Sequence, residues 1–285
     1  MLPNPILQFS LFGNDFKIYM YGVCIAVGIL VCLGVFYLYT KKKDMPEKVQ
    51  DFIFVVAIIS IALGFLFAKL YQTVYEWIET GDFDFYGSGV TAMGGFIGGA
   101  GTFLIVYFIG GNFVFKGKET GLHKKEFNKV LLCAPCCITV AHAFGRIGCL
   151  CAGCCHGAFI SYEAGHGGLY MKADGKWGYF VPTQLYESVF LFVLFAVLSY
   201  LYFNRYNITM QIYLIAYGAW RIIIEFFRTD SRGAVILGLY PSQWQSIIFI
   251  VGGIVMLVIY ILKKIPLRFP KENKQDFGSE KENDG

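Results

Sequence analysis

Long apolar runs constrain the fold of this chain more than any other feature of its sequence. Seven of them approach the roughly 20 apolar residues that a helix needs to cross a bilayer core about 30 Å thick. They cover residues 18–40, 52–75, 91–111, 129–148, 184–203, 209–228 and 242–262. Only 15% of the residues are charged, whereas soluble domains have about a quarter. We therefore predict an all-α polytopic membrane protein with about seven transmembrane helices.

The distribution of basic residues predicts how these helices are oriented. Loops on one side of the predicted bundle hold Lys41, Lys42, Lys43 and Lys48, then Lys116, Lys118, Lys124 and Lys125, then Lys263, Lys264 and Arg268. The alternate loops hold few, mainly Lys172, Lys176 and Arg232. Because cytoplasmic loops are enriched in lysine and arginine, we expect the N-terminus outside and the C-terminus in the cytoplasm. Segment 149–183 then lies on the outer face as a loop or cap region, and we expect its loop at His166, Gly167 and Gly168 to be solvated.

The sequence predicts a single membrane domain followed by a polar tail. The first residues lack a basic segment and a small-residue cleavage pattern, so the first span is expected to be retained. We predict one integral membrane domain over residues 1–265 and a polar, disordered cytoplasmic tail over 266–285. The glycine-rich third span is a candidate for a broken or re-entrant segment. No nucleic-acid-binding module is found, and the basic residues beside apolar runs fit anionic lipid headgroups instead.

Ionisable residues inside apolar spans are the strongest functional signal, because burying a charge in a bilayer is costly. Those in or near the outer halves of the spans are Lys69, Arg146, Arg221, Glu225 and Arg228. In YGAWRIIIEFFR, residues Tyr217, Arg221, Glu225 and Arg228 have the spacing of one helix face. This stripe could join two helices. Alternatively, Glu225 orients one guanidinium while another is left to bind an anion, either a lipid phosphate or a transported ion.

Cysteines are concentrated at the end of the fourth span, in GRIGCLCAGCCHG (residues 145–157). Cys149, Cys151, Cys154 and Cys155, with His156, could form a zinc site or a thiol–disulfide pair. Adjacent cysteines coordinate one ion awkwardly, and cysteine inside a span is an ordinary small apolar residue. We therefore expect packing roles and no metal site, with the disulfide and the metal as alternatives.

Seven motifs in order give the chain a resemblance to the prolipoprotein diacylglyceryl transferase family. The first three are IYMYGVCIAVGI, which includes Tyr21; FAKLYQTVY, with Lys69 where arginine is usual; and TAMGGFIGG, which resembles the family's HGGLIG loop. GRIGCLCAGCCHG resembles the signature GRxGNFxNxExxG, and PTQLYES, YGAWRIIIEFFR and YPSQWQSIIFIVGG follow. The resemblance extends over nearly the whole chain and implies the same seven-span topology.

The resemblance implies an enzyme of the bacterial cell membrane that needs no cofactor. It would transfer the diacylglyceryl group of phosphatidylglycerol to the lipobox cysteine of a prolipoprotein, acting as a monomer. Arg146 would bind the headgroup, Arg221 would stabilise the departing phosphate, and Glu225 and Tyr217 would orient Arg221. The other implied substrate-binding residues are Gly94, Gly95, Gly98, Gly157, Lys69 and Arg228. Helix packing is the alternative explanation for the glycines of the TAMGGFIGG motif.

The departures from the family pattern concern the proton acceptor and neighbouring polar positions. Met93 stands where the loop histidine is usual, and Cys149, Cys154 and Val181 replace asparagine, glutamate and histidine. Replacement bases could be His142, His156 or Tyr21, or the field of the arginines could ionise the substrate thiol directly. Three functions therefore remain open: the lipid transferase, a cysteine-rich paralogue with a redox or metal-binding role, and an anion transporter.

Overall fold

The computed structural model describes residues 4–11, 14–173, 175–228 and 238–268. Within these ranges the helices are α1 (Met20–Lys41), α2 (Glu47–Thr80), α3 (Ala92–Ile105), α4 (Gly111–Val114), α5 (Leu122–Ala152), α6 (Thr183–Phe203), α7 (Thr209–Glu225) and α8 (Pro241–Leu262). The strands are β1 (Leu7–Leu11), β2 (Asn14–Ile18), β3 (Phe159–Ser161), β4 (Leu169–Ala173) and β5 (Lys176–Phe180). The predicted tail lies almost wholly outside the described residues, as does Arg232.

The helical membrane architecture is confirmed, although the number of spans is not. Six helices in the described part of the chain are long and apolar enough to cross a membrane. They cover Met20–Lys41, Glu47–Ile78, Met93–Val114, Leu122–Ala152, Thr183–Phe203 and Pro241–Leu262. The sixth predicted span forms α7, which has 17 residues and ends at Glu225 instead of continuing to residue 228.

The glycine-rich third span forms a continuous helical segment. Helix α3 passes into a π-helical turn at Val106–Gly110, and α4 follows directly. The expectation of a broken segment is therefore wrong for this part of the chain. A π-helical turn accommodates one extra residue without interrupting the backbone hydrogen bonds, so the segment keeps its helical path.

The chain divides into two compact units, which are described separately. The larger unit contains residues 1–35 and 132–285, and the smaller unit contains residues 36–131. In the larger unit, α7 packs against both α6 and α8. The contact between α7 and α8 needs small residues. A Cβ added at Gly218 would lie 2.9 Å from the Ser246 carbonyl oxygen, and one added at Gly253 would lie 3.1 Å from the Gln211 carbonyl oxygen.

The segment after α5 contains a small sheet that the sequence analysis did not predict. Strand β5 pairs antiparallel with both β3 and β4. Met171, Ala173 and Phe180 are buried against one another, whereas residues 162–168 are exposed, as expected for a solvated loop. The segment is therefore a folded cap carrying one exposed loop. A short run of alternating buried and more exposed residues between glycines gives only a weak strand signal in the sequence, so the sheet was not predicted.

Candidate active site

A buried carboxylate lies at the centre of the charged residues of the larger unit. Glu187 is 1% exposed, and its Oε2 is 3.1 Å from Nε of Arg146 and 3.7 Å from Nη1 of Arg221. Its Oε1 accepts a hydrogen bond of 3.3 Å from the Tyr217 hydroxyl, and Nε2 of His142 is 3.8 Å away. A carboxylate is tolerated at such burial only when it is paired in this way.

Three helices bring these side chains together. Arg146 lies near the end of α5, and Glu187 lies in the second turn of α6. Tyr217, Arg221 and Glu225 are spaced by four residues along α7, which places them on one face. The structure thus brings four of the predicted site residues, Arg146, Tyr217, Arg221 and Glu225, into one polar cluster. We call them, with Glu187 and His142, the arginine cluster.

His142 contacts Arg146 within α5. Nε of Arg146 donates to Nε2 of His142 over 3.2 Å. In this geometry Nε2 is the acceptor. The ring packs edge-on against Tyr217 at 5.2 Å. This geometry gives His142 a role in positioning Arg146 and occupies the lone pair that a general base would need.

Arg221 has capacity to bind a further group. Its Nη2 is 3.7 Å from Oε2 of Glu225, which is the partner that the sequence predicted. Its Nη1 is buried and has no hydrogen-bond acceptor among the described residues. Arg228 also interacts electrostatically with Glu187. Among the described residues, Arg146, Arg221 and the neighbouring Arg228 thus all interact with Glu187.

Arg228 does not extend the helical stripe, which corrects the prediction from its spacing. Helix α7 ends at Glu225, and Arg228 instead forms an isolated antiparallel bridge with Gly157. The Gly157 amide donates to the Val181 carbonyl oxygen over 2.8 Å. A Cβ on Gly157 would overlap the Phe227 carbonyl oxygen. Gly157 is therefore needed for close backbone approach, and it fixes Arg228 beside the cysteine-rich turn.

That turn gathers three thiols at the end of α5. The sulfur atoms of Cys149, Cys154 and Cys155 all lie within 4.8 Å of one another. Gly153 and Cys155 both adopt left-handed backbone conformations, with φ of 75° and 61°. A side chain on Gly153 would overlap the Lys172 carbonyl oxygen. The backbone therefore folds back on the helix end and brings Cys154 and Cys155 to Cys149; we call these three residues the thiol cluster.

The thiol cluster is linked electrostatically to the arginines. Hydrogen bonds from Cys149 and Cys154, followed by the charges of Arg228 and Arg146, lower the pKa of Cys155 below its usual range. Positive charges nearby stabilise a thiolate. The cluster thus differs from Cys133, Cys136 and Cys137, which are buried in the interior of α5 and fit the predicted packing role.

Tyr21 lies near both clusters. Helix α1 packs closely on α5 at Gly148, where a Cβ would lie 3.1 Å from the Tyr21 ring and 3.2 Å from Cβ of Cys24. The Tyr21 hydroxyl interacts electrostatically with Cys149 and Arg146, and the residue is 38% exposed. Gly148, one of the glycines of the signature, therefore has a structural role, because it lets α1 bring Tyr21 to the end of α5.

Met93, which replaces the family's loop histidine, and His156, a predicted replacement base, have different surroundings. Met93, in the smaller unit, has only a thioether, whose sulfur lies 3.8 Å from the Tyr71 hydroxyl. His156, in the larger unit, is buried with its ring 4.7 Å from that of Phe180. Its Nδ1 lies 2.8 Å from the Gly157 carbonyl oxygen. These contacts place His156 in the core of the cap.

Lys69 belongs to the smaller unit, where it binds a loop. Its ammonium donates to the backbone carbonyl oxygen of Ser88 and, over 3.2 Å, to that of Tyr86. It also lies 5.8 Å from the centre of the Phe85 ring. These contacts hold the loop that connects α2 to α3. The structure thus gives Lys69 a local structural role beside the predicted substrate-binding one.

The predicted glycines, Gly94, Gly95 and Gly98, lie where α3 packs on α2 in the smaller unit. A Cβ on Gly94 would lie 2.8 Å from the Phe67 carbonyl oxygen, and one on Gly98 would overlap the Phe67 side chain. Gly95 faces Gly64 at a similar crossing. Close helix packing, one of the two explanations offered by the sequence, accounts for these glycines.

Glu187 is the residue of the site that the sequence analysis missed. It was present in the quoted motif PTQLYES, and a glutamate near the start of an apolar span is itself a warning of a paired charge. Spacing along α7 favoured Glu225 because that residue is on the same helix as Arg221. Contacts between helices do not appear in such a pattern.

Comparison with known proteins agrees with the family resemblance of the sequence motifs. A family model described as prolipoprotein diacylglyceryl transferase matches residues 7–259. Phosphatidylglycerol–prolipoprotein diacylglyceryl transferase 2 of Clostridium perfringens is 33% identical over 258 residues, covering 87% of this chain and 93% of that protein. The phosphatidylglycerol–prolipoprotein diacylglyceryl transferases of Clostridium tetani and Clostridioides difficile are also 33% identical, over 92% and 90% of this chain and 99% and 96% of theirs.

Proposed function

The chain belongs to the prolipoprotein diacylglyceryl transferase family, and from this membership we propose that it transfers diacylglycerol from phosphatidylglycerol to prolipoproteins. The acceptor is the lipobox cysteine, and the reaction is the first step of lipoprotein maturation. The enzyme is a multi-pass membrane protein. Its location suits the reaction, because the lipid and the signal peptide of the acceptor both reside in the bilayer.

Nη1 of Arg221, which has no hydrogen-bond acceptor among the described residues, carries the proposal for the site. Arg146 and Arg221 both interact with Glu187, and the phosphodiester of phosphatidylglycerol has a single negative charge that two guanidinium groups can bind. The guanidinium fork matches the geometry of phosphate oxygens. Nη1 of Arg221 is a donor available for this purpose. Arg146 and Arg221 therefore bind the phosphate between them.

The same groups stabilise the transition state. The acceptor thiolate attacks the glycerol carbon of the diacylglyceryl group, the carbon–sulfur bond forms, and the carbon–oxygen bond to the phosphate breaks. The electron pair of that bond leaves with the oxygen, so glycerol phosphate departs with additional negative charge. Arg221 and Arg146 stabilise this charge as it develops, and stabilisation of this kind commonly contributes more to enzymatic rate enhancement than any other effect.

The remaining cluster residues position the two arginines. Glu187 contacts both guanidinium groups, and Tyr217 donates to its other oxygen. His142 accepts from Arg146, and Glu225 pairs with Arg221. Because each arginine is restrained on one side, its other nitrogens present a fixed pattern of donors. A fixed pattern lowers the entropy lost on binding the lipid phosphate.

Tyr21 acts as a donor in this scheme. A phenol is protonated near neutral pH, so its hydroxyl is poorly suited to accept the proton of the acceptor thiol. Tyr21 is 38% exposed and interacts electrostatically with Arg146, so its hydroxyl is suited to donate to a phosphate oxygen. Gly157 and Arg228 complete the site through the bridge that orders the cap.

The test is a transfer assay with purified protein, phosphatidylglycerol and a synthetic lipobox peptide, in which the thioether product is detected by mass. Arg146→Ala and Arg221→Ala should each lower the rate by about 100-fold to 1,000-fold, the loss seen when one donor to a developing charge is removed. Cys151→Ser, a change at the same helix end, should keep most of the activity. Loss of transfer in Cys151→Ser with retention in both arginine variants would refute the proposal.

A further inference from the structure

The thiol cluster has the composition and spacing of a metal site. Zinc–thiolate bonds of about 2.3 Å place the sulfurs of a tetrahedral site about 3.8 Å apart. The sulfurs of Cys149, Cys154 and Cys155 all lie within 4.8 Å of one another, so small side-chain rotations would bring them to that spacing. Adjacent cysteines usually coordinate one ion awkwardly. The left-handed backbone at Cys155 removes this difficulty, because it turns two neighbouring side chains toward the same point.

The backbone around these thiols is fixed before any ion binds. The amides of Gly153 and Cys154 both donate to the Cys149 carbonyl oxygen, over 3.0 and 3.2 Å. On the other side, Thr183 Oγ1 donates to the Cys155 carbonyl oxygen over 2.7 Å, and Gln184 Nε2 donates to that of Cys154 over 2.6 Å. The turn is therefore held by both α5 and α6. A preorganised set of ligands needs little reorganisation when it binds an ion.

Positive side chains lie beside the thiol cluster. Three thiolates and one divalent cation carry a net charge of minus one, and Cys155 interacts electrostatically with both Arg228 and Arg146. Arg146 also precedes Cys149 by three residues on α5, so the two residues share a helix face. Arg228 thus offsets part of the charge of the metal–thiolate group, together with Arg146, which also binds phosphate in the proposed function.

Three protein ligands would leave the fourth coordination position open. His156 does not supply it in this arrangement, because its ring packs on Phe180 and its Nδ1 faces the Gly157 carbonyl oxygen. Cys154 is exposed, so the cluster is accessible from outside the protein. Metal sites with three protein ligands and one open position are typical of catalysis, whereas structural zinc sites have four.

We propose that Cys149, Cys154 and Cys155 bind a thiophilic divalent cation such as Zn²⁺, and that its fourth position binds the thiol of the acceptor peptide. The first part stands on the geometry of the thiol cluster alone. The second part rests on the proposed function, because it identifies the ligand with the substrate of the transfer reaction.

This arrangement supplies the activation step for which the described residues offer no suitable base. A thiol that coordinates zinc loses its proton, here to water, and becomes a metal-bound thiolate. Its sulfur then forms the carbon–sulfur bond to the glycerol carbon, while the carbon–oxygen bond breaks and the electron pair leaves with the phosphate. The product thioether is neutral and a weaker ligand, so it leaves the cation. Methionine at position 93 is then compatible with activity.

The first experiment tests the metal site without any substrate. Full-length protein is purified in detergent under reducing conditions and titrated with Co²⁺, which replaces Zn²⁺ and gives a sulfur-to-cobalt charge-transfer band. We expect saturation at about one ion per chain, as for a single tetrahedral site. The band should be lost in the triple variant C149S/C154S/C155S and strongly reduced in Cys154→Ser, an exposed position where folding is not at risk. Cys151→Ser is the matched control and should keep the band.

The second experiment tests the open position. Adding a lipobox peptide to the cobalt-loaded protein should change the cobalt absorption spectrum, and a peptide with serine in place of the cysteine should not. In the zinc form, removal of the metal should lower transfer at least about tenfold, and added Zn²⁺ should restore it.

The outcomes separate the two proposals. A charge-transfer band that is missing from the native protein, or a disulfide found within the thiol cluster, would overturn the metal site. A spectrum that ignores the cysteine peptide, with full transfer by metal-free protein, would overturn the role of the cation. If the cysteine peptide changes the spectrum but no thioether forms, the metal site is supported and the proposed transferase reaction fails instead.

Discussion

At the scale of single residues, Glu187 determines how the arginine cluster is arranged. It is nearly inaccessible to solvent and joins Arg146 of α5 to Arg221 and Tyr217 of α7, whereas Glu225 pairs with Arg221 on its own helix. Because Glu187 links two helices, we expect it to matter more than Glu225, although the sequence places Glu225 more prominently. The difference can be measured.

Glu187→Gln should lower both stability and activity. The change leaves two buried guanidinium groups without their shared carboxylate, and breaking a buried pair in this way costs about 3–5 kcal/mol. We expect a lower melting temperature in detergent and at least about a tenfold loss of transfer. Glu225→Gln should have a smaller effect on both.

The matched control is Glu119→Gln in the smaller unit. Glu119 pairs with Lys48 at the surface, and both side chains are well exposed. Such pairs contribute at most about 1 kcal/mol, so the melting temperature should hardly change. If Glu187→Gln behaves like Glu119→Gln in both measurements, the central position of Glu187 is not important.

At the scale of secondary-structure elements, glycines determine how closely helices and strands approach. Gly157→Ala should disrupt the bridge between the cap and the end of α7, because the Phe227 carbonyl oxygen occupies the place of the new Cβ. Overpacking of this kind costs about 1–3 kcal/mol. The expected result is a lower melting temperature and weaker binding of phosphatidylglycerol. Gly34→Ala, where nothing lies within 4 Å of the new Cβ, should leave both unchanged.

The glycines of α3 allow a test between packing and lipid contact. Gly98→Ala would overlap the Phe67 side chain, whereas Gly101→Ala has open space. If packing explains Gly98, its substitution should lower the melting temperature by several degrees, as expected for a loss of about 1–3 kcal/mol. The KM for phosphatidylglycerol should remain close to its native value. An increase in KM at unchanged stability would indicate lipid contact instead.

Elements differed in how well the sequence predicted them. Hydropathy located the long helices of the part of the chain that the structure describes, because a bilayer core requires a run of apolar residues that few other structures need. It overestimated α7, since the apolar residues Phe226 and Phe227 continue the pattern past the last helical hydrogen bonds. The contact between Arg146 and Glu187, on different helices, has no sequence period that could reveal it.

At the scale of the whole molecule, the orientation in the membrane is still a prediction from the lysine-rich loops. We expect the exposed loop at residues 162–168 to lie outside the cell. An epitope inserted after His166 should bind antibody in intact spheroplasts. An epitope inserted after Lys118 should bind only after permeabilisation. The reverse pattern would place the candidate active site on the cytoplasmic face and contradict the topology.

The Nη1 donor of Arg221 has a consequence for the stability of the purified protein. Because the phosphate of a bound lipid supplies an acceptor for this buried nitrogen, the lipid substrate also acts as a stabilising ligand by mass action. At a concentration 100 times its Kd, such a ligand adds about 2.7 kcal/mol to the free energy of unfolding. Samples stripped of anionic phospholipid should therefore denature at lower temperature than samples in native-like bilayers. The melting temperature of this enzyme should therefore rise with the concentration of its own lipid substrate.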